Sequence, residues 1–177
     1  MKKLAILTLL ALEFAVCGCG SGTPSTTTST TSNGSWEAQL SGGTADASLL
    51  DFVTTFSVTN SGPLNDMSLY FINQGKCFAT GLNAVNESGS ATLTTGSTNQ
   101  VTGTLTLTVQ SITPAGNTLT LNGNLTGTSN GTTTTTGTLS NGVVEGTWQL
   151  TGGQGDPSCT GGGNFILCQG AATCTVP

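Results

Sequence analysis

The stretch "VTGTLTLTV", Val101 to Val109, sets valine, glycine and leucine at every odd position and threonine at every even one. Successive side chains of a β-strand point to opposite faces, so Val101, Gly103, Leu105, Leu107 and Val109 share one face and Thr102 to Thr108 the other. A β-branched hydroxyl face set against an aliphatic face is the pattern of a half-buried antiparallel strand. Reading outward, "TLTLNGNLT" repeats it with Leu119, Leu121 and Leu125, and "VEGTWQLT" puts Val144, Gly146, Trp148 and Leu150 inward. Shorter alternations run through Trp36–Leu40, Leu50–Val58, Met67–Ile72, Ala91–Thr95, Thr132–Leu139 and Asn164–Cys168. Turn chemistry separates them: "NSGP" at Asn60, "TPAGN" around Pro114, and "NG" at Asn130 and Asn141.

Short strands at even spacing, joined by hairpins, predict an all-β domain: an antiparallel up-and-down barrel of about eight or nine strands, with a β-sandwich as the alternative. Closure favours the barrel. Only 6% of residues are charged, so the chain has few of the edge lysines that keep open sheets from pairing with one another. The inward glycines Gly103, Gly123, Gly137 and Gly146 would either leave room for a ligand or relieve curvature.

The charge balance excludes two classes of partner. The basic residues are Lys2, Lys3 and Lys76, without arginine or histidine. A chain starting at Cys19 would keep Lys76 against Glu37, Asp46, Asp51, Asp66, Glu87, Glu145 and Asp156. Such a surface cannot release counterions from phosphates, so nucleic acid is not expected as a partner, nor is electrostatic docking on anionic lipid.

At the N-terminus Lys2 and Lys3 precede "LAILTLLAL", Leu4 to Leu12, an apolar run too short to span a bilayer and of the right length for a secretory signal. The segment that follows, "FAVCGCG", resembles the bacterial lipoprotein signal, in which a small residue precedes the cysteine that is lipidated. Gly18 fills that slot for Cys19, whereas Val16 would fill it for Cys17. The resemblance implies a signal peptide over 1–18 and a lipid anchor to the membrane at Cys19. With Gly20 after the cysteine, it implies an exported protein of the outer membrane or cell surface. Residues 19–34, nearly all Ser, Thr and Gly, read as a flexible tether, and 35–177 as the β domain.

"GSWEAQLSGG" and "GTWQLTGG" share a Gly-x-Trp and a Gly-Gly stop. The first is similar to the Gly-x-Trp of lipocalin- and avidin-type barrels, and the pair is expected on strands that meet where the barrel closes. Trp36, Phe52, Phe56, Phe71 and Trp148 are the candidate lining of a ligand site, should the interior be hollow.

Four cysteines remain in the domain: Cys77, Cys159, Cys168 and Cys174. In an exported protein they suggest two disulfides with three possible connectivities. The short "QGAAT" loop favours Cys168 with Cys174, which leaves Cys77 with Cys159. Their spacing does not resemble a zinc site, so no metal and no cofactor is expected.

Catalysis is not expected. "GTSNG", Gly127 to Gly131, matches the nucleophile-elbow pattern but lies between Thr-rich strands in a chain without histidine, so it reads as a turn. The carboxylates read as exposed solubilising charge, and no acid/base pair stands out. The expected function is that of a lipid-anchored envelope protein with a structural or interaction role. The alternatives are a binding barrel for a small apolar or carbohydrate ligand and, last, a carboxylate-dependent hydrolase.

Overall fold

A computed structural model describes residues 30–42, 50–73, 75–79, 85–112, 115–131, 137–153 and 158–170. Among these, the regular structure is all β. The strands are β1 (Thr30–Ser32), β2 (Ser35–Ser41), β3 (Asp51–Thr59), β4 (Ser61–Pro63), β5 (Asn65–Asn73), β6 (Val85–Thr95), β7 (Gln100–Ser111), β8 (Thr118–Ser129), β9 (Gly137–Thr151) and β10 (Gly161–Gln169).

The long strands follow the expected meander. The antiparallel ladders β6–β7, β7–β8, β8–β9 and β9–β10 run in chain order, and β10 returns to pair with β2, which pairs with β3, which pairs with β5. Closure comes from β1. It pairs antiparallel with the end of β3 (Thr31 opposite Thr59) and parallel with the start of β9 (Thr30 opposite Gly137), completing a ring β1-β3-β2-β10-β9. The fold is thus an all-β barrel of five ring strands with further strands continuing its wall. Beyond β3, Asn60 turns the chain with a positive φ of 57°, and β4 pairs with β6. Among the described residues β5 and β6 share no ladder; the Leu69 N–H instead donates to the Glu87 carboxylate of β6 at 3.1 Å. Glu87 therefore bridges a seam in the wall, a more specific role than the solubilising one expected of it.

Three sequence expectations need correction. The tether assigned to 19–34 contains β1: Thr30 and Ser32 are buried, and the folded unit begins by Thr30. Thr30 accepts this position because its polar groups are matched at long range. Its N–H donates to Asn60 Oδ1 at 2.9 Å, and its hydroxyl contacts those of Thr95 and Ser129. Second, Asn141-Gly142 is not a hairpin. β9 runs through it as one strand, with Thr126 opposite Val143 and Thr128 opposite Ser140, so Asn141 and Gly142 together oppose Gly127. That is a β-bulge, and Asn141 supplies its positive φ of 53°. Of the separate strand expected over Thr132–Leu139, only the part from Gly137 on lies within the described residues, and it opens β9. Third, the "GTSNG" segment is mostly strand: Gly127 to Ser129 end β8, and Ser129 is buried beneath β1.

The core follows the alternation. Val101, Leu105, Leu107, Val109, Leu119, Leu121, Leu125, Val144, Trp148 and Leu150 are all buried. Each such leucine contributes roughly 2 kcal/mol on leaving water. At the end of the barrel where β5 stops and β10 starts, Cys77 is disulfide-bonded to Cys159. Asn117 organises this end: it donates to the Cys77 carbonyl at 2.7 Å and accepts from the Gly153 N–H at 2.7 Å.

Candidate functional site

The five aromatic side chains proposed as ligand lining lie inside the barrel and pack on one another and on the core. None is more than 6% exposed. Trp36 stacks on Phe56 with centroids 5.2 Å apart, Phe52 meets Phe71 edge-on at 5.7 Å, and Phe71 stacks on Phe78 at 4.6 Å. These are favourable geometries for aromatic pairs, worth about 1 kcal/mol each beyond area burial. Trp148 donates its indole N–H to the Ser41 carbonyl at 3.0 Å, across β10. The two Gly-x-Trp strands, β2 and β9, are thus not direct neighbours, because β10 pairs with both.

The inward glycines do not leave ligand space either. Gly123 and Gly146 face each other in the β8–β9 ladder. A Cβ on Gly123 would lie 2.7 Å from Val144 Cγ1 and 2.8 Å from Phe165 Cζ, and one on Gly146 would collide with the Asn122 carbonyl. A Cβ on Gly103 would collide with the Thr92 carbonyl in the same way. Their missing side chains let β8 and β9 sink toward the core.

The outward consequence is a dent in the wall. A groove of about 480 Å³ opens on the solvent face of β7, β8 and β9, with Leu105, Gly123 and Gly146 along its floor. Its walls are the outward side chains Thr104, Thr106, Asn122, Asn124, Glu145 and Thr147. The register sets them in two rows across three strands: Thr104, Asn124 and Glu145 in one, Thr106, Asn122 and Thr147 in the other. Thr106 Oγ1 donates to Asn122 Oδ1 at 3.0 Å. These glycines and Glu145 stand out in the sequence, but the groove they form does not. The available signal was two glycines falling at paired positions of adjacent strands.

Of the cysteines, Cys168 is disulfide-bonded, with a partner outside the described residues; Cys19 and Cys174 themselves lie outside them. On the outer face of β9 and β10, Ile166 and Cys168 are buried with Val143 packed against them. Lys76 is exposed beside the bridged Cys77. Asp51, at the start of β3, has its carboxyl raised above the ordinary aspartate range, chiefly by partial burial and then by the negative charge of Glu37, against a backbone hydrogen bond from Leu40. Asp46 and Asp156 lie outside the described residues.

Fold and site together define a class: a small disulfide-bonded all-β barrel, its described interior packed with its own aromatic and aliphatic side chains, with a polar concavity on its outer wall. No protein-family model, curated protein or solved structure matches the chain.

Proposed function

We propose that this protein is an exported, lipid-anchored component of a bacterial cell envelope, non-catalytic, that acts through the outside of its barrel in a structural or interaction role. One observation carries the second half of that reading. Of the aromatic residues that would have lined an internal ligand site, Trp36, Phe52, Phe56 and Phe71 pack in aromatic pairs, and Trp148 is buried with its indole N–H on the Ser41 carbonyl. The lipoprotein-like leader and the Cys77–Cys159 bridge, which suits an oxidising compartment, support the first half. The groove holds a single carboxylate, Glu145, whereas glycoside hydrolysis of the common kind uses two across a cleft.

The test is fractionation of cells expressing the full chain, followed by native mass spectrometry of the purified protein. Wild type is expected in the membrane fraction, and Cys19→Ala in the soluble one. Membrane retention of Cys19→Ala with release of Cys17→Ala would move the anchor to Cys17. The intact mass should show acyl chains and disulfides and nothing more. A stoichiometric apolar adduct that survives purification and leaves on denaturation would mean a hollow barrel and sink the filled-interior reading.

A further inference from the structure

The dent on the outer wall has properties that neither barrel closure nor anchoring requires. A β-sheet face that only meets water needs no concavity, and alanine at an inward strand position adds core. Here two inward positions in register, Gly123 and Gly146, forgo that core, and the backbones close up where Cβ atoms would stand. The cost is lost packing inside, and the product is a groove outside within the volume range of small-ligand sites.

We propose that this groove binds a short stretch of neutral saccharide. The inference rests on the reading that the barrel works through its outer surface, and not on where it is anchored. The walls offer three hydroxyls, two carboxamides and one carboxylate, a set that both donates and accepts hydrogen bonds. Adjacent sugar hydroxyls need that mixture. The hydrogen bond from Thr106 occupies Asn122 Oδ1, which turns the amide N–H groups of that side chain into the donors left for a ligand. Glu145 is exposed, so it can accept from two neighbouring hydroxyls with both oxygens without a heavy desolvation cost. No cation lines the groove, which argues against phosphate, sulfate or uronate ligands. Its polar walls argue equally against an apolar molecule. Threonine is stiff at χ1, and the strands hold unbroken register here, so the three threonine side chains are set in place before a ligand arrives. An open, shallow groove without an aromatic platform should bind weakly, with a Kd on the order of 1 mM.

The test uses the full-length, isotope-labelled chain in a zwitterionic detergent free of sugar headgroups. It is titrated separately with cellotetraose, maltotetraose, laminaritetraose, mannotetraose and chitotetraose, and with tetragalacturonate as the anionic control. At least one neutral sugar is expected to give saturable shifts at the Gly123 and Gly146 amides and the Asn122 and Asn124 carboxamides. Asn124→Ala and Glu145→Gln, both exposed and away from the core, should each weaken that binding by about tenfold or more and leave the β2 and β3 resonances in place. The proposal is overturned if no neutral sugar produces saturable shifts at those sites up to about 20 mM. It is equally overturned if the two variants bind as wild type does, or if tetragalacturonate binds more tightly. None of those results would alter the membrane release expected of Cys19→Ala.

Discussion

The barrel has two dissimilar halves. From β6 to β8 the wall is regular: eleven consecutive residue pairs join β6 to β7, from Val85 opposite Ser111 to Thr95 opposite Val101, and eleven more join β7 to β8. Inside it is mostly leucine and valine; outside, threonines face one another across strands, as Thr92 and Thr104 do at 2.9 Å between hydroxyls. The half built from β1, β2, β3 and β5 is irregular. β1 has three residues, and the β3–β5 ladder slips between Asp51 and Phe52 and again between Thr55 and Ser57. This half also holds the stacked aromatics and three of the four buried polar atoms without a partner among the described residues: Ser32 Oγ, Trp36 Nε1 and Thr54 Oγ1, against Ser111 Oγ elsewhere. Periodic pairing holds the first half; the second relies on large side chains, a disulfide and long-range hydrogen bonds.

Removing the disulfide should therefore break the halves unequally, and this is the largest effect expected. Cys77 and Cys159 are 82 residues apart in sequence and tie the end of β5 to the start of β10. In the chain-entropy model such a bridge contributes roughly 4 kcal/mol. The Cys77→Ala/Cys159→Ala double variant should lose about that much in denaturant titration. In hydrogen exchange, amides of β2, β3, β5 and β10 should lose protection well before those of β7 and β8. Uniform loss across the barrel would show that the two halves are one cooperative unit.

The same contrast decides what was legible beforehand. In the regular half, period two alone assigned each side chain to its face, because continuous register carries the pattern across strands without local exceptions. Elsewhere local sequence was ambiguous. Thr30-Thr31-Ser32 has the composition of its tether, and its burial depends on Asn60, Thr95 and Ser129, remote in sequence. Asn141-Gly142 offers positive φ, which serves a hairpin and a bulge equally. The paired glycines Gly123 and Gly146 marked the site, but alternation cannot say whether an absent side chain empties the inside or dents the outside. The packing of Phe165 and Val144 against Gly123, and of the Asn122 backbone against Gly146, decides for the dent.

An intermediate effect would sharpen the comparison from the aromatic side. Thr54 is fully buried on β3, its hydroxyl without a partner among the described residues, directly opposite Trp36 on β2. Valine has nearly the same shape, stays β-branched, and removes the desolvated hydroxyl. Thr54→Val is expected to raise stability by about 1 kcal/mol, read as a shift in denaturation midpoint at unchanged slope. A loss instead would mean that the hydroxyl is satisfied in solution by a buried water. The irregular half would then be better matched than its polar atoms suggest.

The smallest effect concerns charge on the outside of the same half. Asp51 and Glu37 lie on the outer face of neighbouring strands, with Asp51 opposite Gln39 and Glu37 opposite Val53. Partial burial and then the Glu37 charge raise the Asp51 carboxyl in the folded state, and the Leu40 N–H only partly offsets them. A carboxyl raised on folding holds its proton more tightly in the native state than in the unfolded one. Its contribution is favourable below the unfolded value and is lost as pH climbs through the raised one. At neutral pH the Asp51 charge thus destabilises the fold. Since the group is only partly buried and solvent screens its charge, the effect should stay below about 0.5 kcal/mol. Asp51→Asn should be slightly more stable than wild type at pH 7, with the gap closing as both are acidified through the carboxylate range. A gap that widens on acidification would mean that the Leu40 hydrogen bond outweighs burial and Glu37 together. Asp51 would then belong with the long-range polar contacts that hold this half in place.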